Sequence, residues 1–564
     1  MRAGTRLVAA GALLASLVAG APAAFAAPAA TSAAASVCAA GQSAPPGSSP
    51  GVRVIVSASG VGTGPADAAA HAVRCAAGRV EQSYSAIDGV LATVPGSRLA
   101  ALQSDKSVVV VPDVPVSVQS TVVSTGPHTP SDVFRQETGA ASLVSSGDTG
   151  QGINVAVIDT GIDALPDFAG RLVAGVDLTG DRRPFTDSYG HGTFVAGLIA
   201  GDGASSAGRY SGEAPGAGLI SVKVAGPSGQ TDLATVIAGV DWVIAHRAAD
   251  HIRVLNLSLG FQPVTSAMRN PLDLAVNAAW RAGIVVVTSA GNAGPFNGTI
   301  MSPGDDPLAI TVGALDDMAT RTVSDDEMTD FSSVGPTNPD GFAKPDLVAS
   351  GRSVVSLAAP GSTVYEQNGS ARVGDANFVG SGTSFSTAIT SGAVALLLSA
   401  HPDLTPDQVK ARLLANTRPG PVGNPFVDGH GALDVAAAVA SGPMDLAQST
   451  HGLRPVAFGT TVSLAPSGPA DTWNPSLWTG AAWNGAAWNG AAWNGAAWNG
   501  AAWNGAAWNG AAWNGAAWNG AAWNGAAWNG AAWNGAAWNG AAWNGAAWNG
   551  AAWNGAAWNG AAWN

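Results

Sequence analysis

Short apolar runs alternate with helix-like stretches along much of the chain. From about residue 131 the runs are rich in β-branched side chains and fall at 153–158, 219–224, 254–257, 284–288 and 309–312. The stretches between them, at 194–200, 232–246 and 273–281, have helical character. Continuous apolar strands that alternate with helices predict a mostly parallel sheet covered by helices on both faces, which is an α/β fold.

A strong helix start lies near the end of this region. Thr405 offers an N-cap hydroxyl, Pro406 suits the first helical position, and Gln408 completes a capping box. An alanine-rich stretch then runs to Ala440. We therefore predict one α/β domain over residues 131–440.

The region before this domain has a different pattern. Residues 51–118 combine strand-like runs at 52–56, 92–94 and 107–111 with helix-like stretches at 66–78 and 97–104. This pattern predicts a small α+β domain. Residues 119–130 contain Ser, Thr, Gly, His and Pro, so we expect an exposed joint between the two domains.

The N-terminus has the features of an export signal. Arg2 and Arg6 precede an apolar run at 7–19, and Ala24-Phe25-Ala26 has the form of a cleavage site, so residues 1–26 are predicted to be a signal peptide. A membrane anchor is the alternative, but it needs about 20 apolar residues. Residues 27–50 are predicted to be a flexible spacer. We expect a secreted protein with no membrane span.

The C-terminus is repetitive. Residues 441–479 are predicted to be a linker, and the pentapeptide Gly-Ala-Ala-Trp-Asn then repeats seventeen times over residues 480–564. A period of five matches neither a helical face nor strand alternation. Two structures of the repeat remain as alternatives. One is a series of tight Asn-Gly turns with exposed Trp side chains, and the other is a five-residue solenoid. Exposed Trp rings could stack on cell-wall glycan or on each other.

Charge and cysteine content narrow the choice of partners. The formal net charge is −13, which argues against nucleic acid as the main partner. The two cysteines, Cys38 and Cys75, both precede residue 131. In an exported chain they could form a disulfide, and two unpaired thiols are the alternative.

Three segments place catalytic residue types at the ends of predicted elements. Asp159 closes an apolar run, His191 opens a helical stretch, and Ser384 follows Gly382-Thr383 at the start of another. Each alone has an ordinary interpretation as a turn, core or N-cap residue. Together, in the order Asp, His, Ser, they match one of the known chain orders of the serine-hydrolase triad. We therefore predict all three to be catalytic.

The catalytic role of each of these side chains follows from its acidity. A serine hydroxyl is a weak nucleophile near neutral pH and needs an adjacent base. Histidine can take and return the proton, and a carboxylate fixes its tautomer. Asn292, just after an apolar run and Gly291, is predicted to stabilise the developing oxyanion with its amide, although a plain turn residue is the alternative.

These segments give residues 131–440 a resemblance to the subtilase family of serine proteases. The resemblance rests on the strand ending at Asp159, His191-Gly192-Thr193, Asn256-Leu257-Ser258-Leu259-Gly260, Gly291-Asn292 and Gly382-Thr383-Ser384. It implies a three-layer subtilisin-like fold and a serine endopeptidase that works through an acyl-enzyme. Phe194 stands where the family usually has a second, non-catalytic histidine.

The resemblance also implies how peptides bind. Ser258, Leu259 and Gly260 would hold an extended substrate by main-chain hydrogen bonds, and Ala290 and Gly291 would line the site. Residues 51–118 resemble the family's inhibitory propeptide, which assists folding and then occupies the active site, so a zymogen is expected.

No cofactor is implied for the chemistry. Asp167 stands where many subtilases have a calcium ligand. The resemblance therefore leaves undecided whether a structural calcium ion binds here. The alternative function is a catalytically silent subtilase fold that binds a surface or glycan through the Trp repeat. Lipase-type hydrolases are disfavoured because Ser384 lacks the Gly-x-Ser-x-Gly elbow.

Overall fold

The computed structural model describes residues 50–58, 66–118, 129–263 and 265–442, together with the backbone of two short strands at 453–454 and 463–464. The predicted signal peptide, most of the spacer, most of the joint at 119–130 and the Trp repeat lie outside the described residues.

The N-terminal unit is a four-stranded antiparallel sheet with two helices. Its strands have the order β2-β3-β1-β4, and a separate fifth strand follows. The elements in chain order are β1 (Gly51–Ala58), α1 (Ala66–Cys75), β2 (Arg79–Tyr84), β3 (Gly89–Pro95), α2 (Gly96–Gln103), β4 (Val108–Pro112) and β5 (Pro115–Val118).

The larger unit is built on an eight-stranded sheet. Strands β6 (Asn154–Asp159), β7 (Leu172–Asp177), β8 (Gly218–Lys223), β10 (Ile252–Leu257), β12 (Val285–Ser289), β13 (Ile310–Asp316) and β15 (Leu347–Ser350) pair in parallel, and the short β14 (Glu327–Met328) is antiparallel. β6 lies in the interior of this sheet, between β8 and β10.

Nine further helices belong to the described part of this unit. They are α3 (Phe134–Glu137), α4 (Ala140–Ser145), α5 (His191–Ala200), α6 (Leu233–His246), α7 (Pro271–Arg281), α8 (Thr363–Gln367), α9 (Thr383–Ala400), α10 (Pro406–Ala415) and α11 (Val435–Ala440). α5 packs against α9, and α6 packs against α7. With these helices packed around a mostly parallel sheet, the structure confirms the predicted three-layer α/β architecture.

Helix α9 runs through the middle of the molecule. It contacts α5, α11 and the strands β10, β12 and β13. By length and composition it is apolar enough to cross a membrane, and 89% of it is buried inside the fold. The prediction that the chain has no membrane span after its signal peptide is therefore not confirmed.

Two smaller sheets complete the fold. One joins β16 (Val354–Leu357), β17 (Arg372–Val373) and β18 (Asn377–Gly380). The other places β5 between β9 (Gln230–Asp232) and β11 (Leu259–Gly260), with both pairings antiparallel. The N-terminal unit thus contributes a strand to a sheet of the larger unit.

The N-terminal unit packs on the start of α6. Asp113 accepts a hydrogen bond from the backbone of Ala234 at 2.9 Å, and Tyr84 donates its hydroxyl to the Ala234 carbonyl at 3.0 Å. Arg53 bridges Asp113 at 2.6 Å and Asp232 at 2.9 Å. Negative side chains at a helix N-terminus are favourable, because the unpaired N–H groups point outward there.

Most predicted elements are present, with boundaries shifted by a few residues. The capping box at Thr405 and Gln408 is confirmed, with both reciprocal hydrogen bonds formed. β2 was not predicted because it is an edge strand with mostly polar, exposed side chains. Cys75 is disulfide-bonded, and the one other cysteine of the chain, Cys38, lies outside the described residues.

Candidate active site

Asp159 and His191 form a buried pair at one edge of the main sheet. Asp159 is the last residue of β6, and His191 is the first residue of α5. The Nδ1 atom of His191 lies 2.7 Å from Oδ1 of Asp159. Ligands bind at the carboxyl edge of open parallel sheets, so the pair lies where function is expected. A carboxylate that accepts from Nδ1 leaves Nε2 as the nitrogen available for proton transfer.

Asp187 positions both members of the pair. Its carboxylate accepts hydrogen bonds from the backbone of Gly190 at 2.7 Å and Thr193 at 2.8 Å, at the start of α5. It also accepts from the hydroxyl of Thr160, the residue after Asp159, at 2.8 Å. Burial raises the pKa of Asp187, and these hydrogen bonds oppose that shift. Sequence reasoning missed Asp187, although an Asp four residues before His191 is a capping signal.

A glycine allows the close approach of the two elements. A Cβ atom on Gly192 would lie 2.1 Å from the carbonyl oxygen of Gly161 and 3.2 Å from Cβ of Asp159. Any larger residue at this position would push α5 away from the end of β6.

Ser384 lies at the start of α9, one residue before Phe385, which contacts His191. It is the second residue of that helix and is fully buried. Its hydroxyl donates to the carbonyl oxygen of Ser258 at 3.1 Å, and the hydroxyl of Ser258 donates to the Ser384 carbonyl at 3.0 Å. The ring of Phe385 lies 5.7 Å from the His191 ring, between centroids. Nε2 of His191 has no hydrogen-bond partner among the described residues.

The amide of Asn292 has a defined orientation. Its Oδ1 accepts hydrogen bonds from the backbone N–H of Thr383 at 3.0 Å and from the Thr383 hydroxyl at 2.9 Å. Because a backbone N–H can only donate, the atom it contacts must be the amide oxygen, which fixes the assignment. The NH₂ group therefore points away from Thr383 and is the donor end. Thr383 was also missed by the sequence reasoning, since its role depends on a residue 91 positions away.

Leu259 and Gly260, which are predicted to contact substrate, form strand β11. Leu259 pairs with Val118 and Gly260 pairs with Ser117 of β5. On the other side of β5, Ser117 pairs with Gln230 and Val116 with Thr231 of β9. The structure thus holds an extended segment between two strands, in the way that a sheet edge takes up a peptide.

A second wall lies opposite β11. Ala290 and Gly291 follow β12, and Met301 donates its backbone N–H to the Ala290 carbonyl at 2.9 Å. A Cβ atom on Gly291 would lie 2.7 Å from Cγ of Met301, and one on Gly260 would lie 3.5 Å from Cβ of Met301. Met301 therefore lies between the two glycine-containing walls.

Buried acidic groups lie behind this wall. Ser302 donates its hydroxyl to Asp273 at 3.1 Å, and Asp273 is fully buried. Burial and the neighbouring carboxyls of Asp305 and Asp306 raise the pKa of Asp273 well above its ordinary value. Burial also raises the pKa of Asp305 to about 8.

A pocket with aromatic walls adjoins His191. Phe194 and Phe385 line it, with ring centroids 4.4 Å apart, together with Tyr365 and Phe378. Phe194, which replaces the family's usual histidine, is therefore part of an apolar wall beside the imidazole.

The surroundings of Asp167 do not fit a calcium site. Its carboxylate accepts from the backbone N–H of Ser205 at 3.1 Å and from the Ser205 hydroxyl. The guanidinium of Arg171 donates to the Asp167 carbonyl and lies 3.4 Å from Asp202. A side-chain cation thus already neutralises this region, and no cluster of three or more metal-binding side chains occurs among the described residues.

Comparisons with known proteins show the family of this chain. The profile of the subtilase family matches residues 150–440. Serine protease AprX from Bacillus subtilis (strain 168) is 42% identical over 315 residues, which cover 55% of this chain and 71% of that protein. Subtilisin NAT from Bacillus subtilis subsp. natto is 32% identical over 364 residues, covering 64% and 83%.

Two further similarities concern a named extracellular enzyme and a solved structure. The extracellular serine proteinase of Thermus sp. (strain Rt41A) is 34% identical over 354 residues, covering 61% of this chain and 75% of that protein. Fervidolysin from Fervidobacterium pennivorans, described as a keratinolytic enzyme related to subtilisin, aligns in structure with a TM-score of 0.54. It is 23% identical, and the alignment covers 71% of this chain and 62% of fervidolysin. This similarity confirms the subtilisin-like fold.

Proposed function

Since the chain belongs to the subtilase family and is a serine-type endopeptidase, we propose that it is secreted, is made as a zymogen, and cleaves peptide bonds through an acyl-enzyme on Ser384. Asp159, His191 and Ser384 are the proposed triad. Asn292 is the proposed oxyanion donor, and Ser258, Leu259, Gly260, Ala290 and Gly291 are the proposed substrate contacts.

The proposed reaction assigns one step to each group. Oγ of Ser384 attacks the carbonyl carbon while Nε2 of His191 takes the hydroxyl proton. Asp159 stabilises the imidazolium, and the amide NH₂ of Asn292 donates to the oxyanion. The C–N bond then breaks, the proton passes to the leaving amine, and an ester remains on Ser384. Water then attacks the ester carbonyl while His191 takes its proton. His191 passes this proton to Oγ of Ser384 as the acid product leaves.

One observation supports this mechanism above the others. The contact of 2.7 Å between Nδ1 of His191 and Oδ1 of Asp159 is buried and leaves Nε2 without a partner among the described side chains. An active-site-directed fluorophosphonate tests the proposal, because it reacts with an activated serine. A catalytically silent fold would not be labelled.

The N-terminal unit is proposed to inhibit its own catalytic domain. β5 occupies the position between β9 and β11 that an extended substrate would need. The unit is also fixed to α6 by Arg53, Asp113 and Tyr84. A peptide substrate cannot pair with β11 while β5 is there. Activity therefore requires that this unit be cut and released.

The register of β5 predicts where that cut falls. Gly260 pairs with Ser117 and Leu259 with Val118, so the last residue of β5 lies opposite the residue that follows Ser258. The carbonyl of Ser258 is the one that accepts from the Ser384 hydroxyl, at 3.1 Å. We expect cleavage within the joint at 119–130, so N-terminal sequencing of the secreted enzyme should give a first residue in that segment.

Two controls accompany this experiment. If processing is autocatalytic, the Ser384→Ala variant should accumulate as an uncut precursor. The mature enzyme should contain no thiol, because Cys38 and Cys75 both precede the predicted cut. A stable active product that still begins near Ala27 would contradict the zymogen proposal.

Specificity is proposed to favour apolar side chains before the cleaved bond. The walls around Gly260 and Gly291 are uncharged, and Met301 lies between them. Burial raises the pKa of the nearby Asp273 and so disfavours its charged form. An uncharged pocket gains about 25 cal/mol per Å² of buried apolar surface and offers a basic side chain no ion pair.

A peptide-library profile measures this preference directly. We expect cleavage after apolar residues in the parent enzyme. Met301→Gly should enlarge the pocket and raise kcat/KM for Phe relative to Leu by roughly 10-fold, the scale on which added pocket volume discriminates. A profile dominated by Arg or Lys, or one unchanged by Met301→Gly, would show that these walls do not select the side chain.

A further inference from the structure

Two buried lysines share one cage of oxygen atoms at the base of the main sheet. Nζ of Lys410 donates to the carbonyl oxygens of Pro307, Leu308 and Ala309 at 3.0, 3.3 and 2.9 Å. Nζ of Lys344 donates to the carbonyl of Ala309 at 2.9 Å. The carboxylate of Asp346 lies 2.7 Å from Lys344 and 3.1 Å from Lys410. We call this set the lysine cage.

The burial of this cage is unusual for its residue types. Lys344 and Asp346 are almost fully inaccessible, and Lys410 is 6% exposed. Lysine is rarely buried unless its charge is balanced. Burial opposes ionisation of Asp346, yet Lys344 and Lys410 hold the pKa of its carboxyl below the ordinary value. Oδ1 of Asp346 has no hydrogen-bond partner within the described chain.

The oxygen atoms of the cage are of the kind that a hard cation binds. Calcium takes six to eight oxygen ligands from carboxylates, backbone carbonyls and water. The cage offers three consecutive backbone carbonyls and a carboxylate with one free oxygen atom. When both are protonated, the two ammonium groups supply the same total charge as one divalent ion. Burial lowers the pKa of Lys410 to about 7, and the neighbouring Asp346 opposes that shift.

The cage also joins segments that are distant in sequence. The carbonyls of 307–309 lead into β13, Asp346 immediately precedes β15, and Lys410 belongs to α10. The backbone N–H of Thr311 donates to Asp346 at 2.8 Å. A cation at this point therefore fixes a helix to the starts of two neighbouring strands.

We propose that Lys344 and Lys410 together replace a divalent cation, so that the lysine cage is a calcium-type site filled by the protein's own side chains. The parent protein then needs no metal at this place. Removing both ammonium groups, and the volume of their side chains, converts the cage into a site that binds calcium. This inference is independent of the assignment of the catalytic residues.

The experiment compares two double variants of the full chain. Lys344→Ala with Lys410→Ala empties the cage and leaves space for an ion, whereas Lys344→Met with Lys410→Met removes the charges but keeps the space filled. Both are made in the Ser384→Ala background, so that proteolysis does not affect the melting curves. Tm is measured in EDTA and in millimolar calcium chloride, and bound calcium is measured by equilibrium dialysis.

The two variants should respond differently to calcium. In EDTA both should melt roughly 5–15 °C below the parent, because each leaves buried oxygens without their cations. Calcium should raise the Tm of the alanine variant by at least half of that loss, with one more bound calcium per chain than in the parent. The methionine variant should gain no more than the parent does.

The single variant Lys410→Ala covers the case in which the double alanine variant does not fold in EDTA. Recovery of folded protein only when calcium is present would support the proposal. An alanine variant that is folded but gains no more than the methionine variant would overturn it. So would an alanine variant that fails to fold with and without calcium while Lys410→Ala folds and does not respond to calcium.

Discussion

Ser384→Ala should abolish peptide hydrolysis and leave the fold intact. The substitution removes only the hydroxyl that would attack the substrate, and the backbone of α9 does not depend on it. We expect kcat on a soluble peptide to fall roughly 10⁶-fold. That magnitude is the one measured for the equivalent serine of subtilisin, a relative of this chain, and is taken from there. Initial rates on casein and on a chromogenic peptide measure it.

A second serine of the same helix provides the matched control. Ser386 lies two residues further along α9, is equally buried, and donates its hydroxyl to the carbonyl of Ala349 at 2.9 Å. Ser386→Ala removes a buried hydroxyl without touching the cleft, so activity should stay within a few-fold of the parent. Fluorophosphonate labelling should be lost in Ser384→Ala and kept in Ser386→Ala. Equal hydrolysis by both variants would disprove the nucleophile assignment.

Asp159→Asn should reduce kcat by about 10⁴-fold while changing the shape of the site very little. The amide has the same size as the carboxylate, but it no longer carries the charge that stabilises the imidazolium. Its NH₂ group also favours the imidazole tautomer with the proton on Nε2, which cannot accept the proton of Ser384. The measurement is kcat on a small peptide, with circular dichroism and Tm to verify the fold.

The control for Asp159→Asn is an aspartate outside the cleft. Asp132 is partly exposed and pairs with Arg209 at 2.7 Å. Exposed ion pairs contribute between about 0 and 1 kcal/mol to stability, so Asp132→Asn should leave both kcat and Tm almost unchanged. A loss of less than tenfold in Asp159→Asn, with the fold intact, would show that the carboxylate does not act on His191.

The parallel sheet could be predicted because the signals for its strands and helices lie within short stretches of the sequence. Each interior strand is a continuous apolar run, and the helices between the runs have their own start signals, as at Thr405 and Asp232. The predicted catalytic residues also stand at element ends that such patterns mark. The relative positions of Asp159 and His191 follow once the strand and the helix are placed.

Other features depend on pairings between distant residues and have weak local signals. β5 is four residues long, begins with Pro115, and is stabilised by β9 and β11, which lie more than a hundred residues later. The orientation of the Asn292 amide depends on Thr383, and the position of His191 depends on Asp187. The lysine cage was not predicted because a lysine in sequence is ordinarily expected at the surface.

The burial of α9 has a consequence for how the molecule loses function. Backbone amides in such a fully covered helix exchange with solvent only when most of the molecule opens, whereas surface elements open locally at much lower free energy. Ser384 is the second residue of this helix, which is 89% buried. The proposed nucleophile therefore does not lie in a surface segment that melts early. Heat should remove activity in step with global unfolding, without an earlier phase in which a folded molecule has a disordered site.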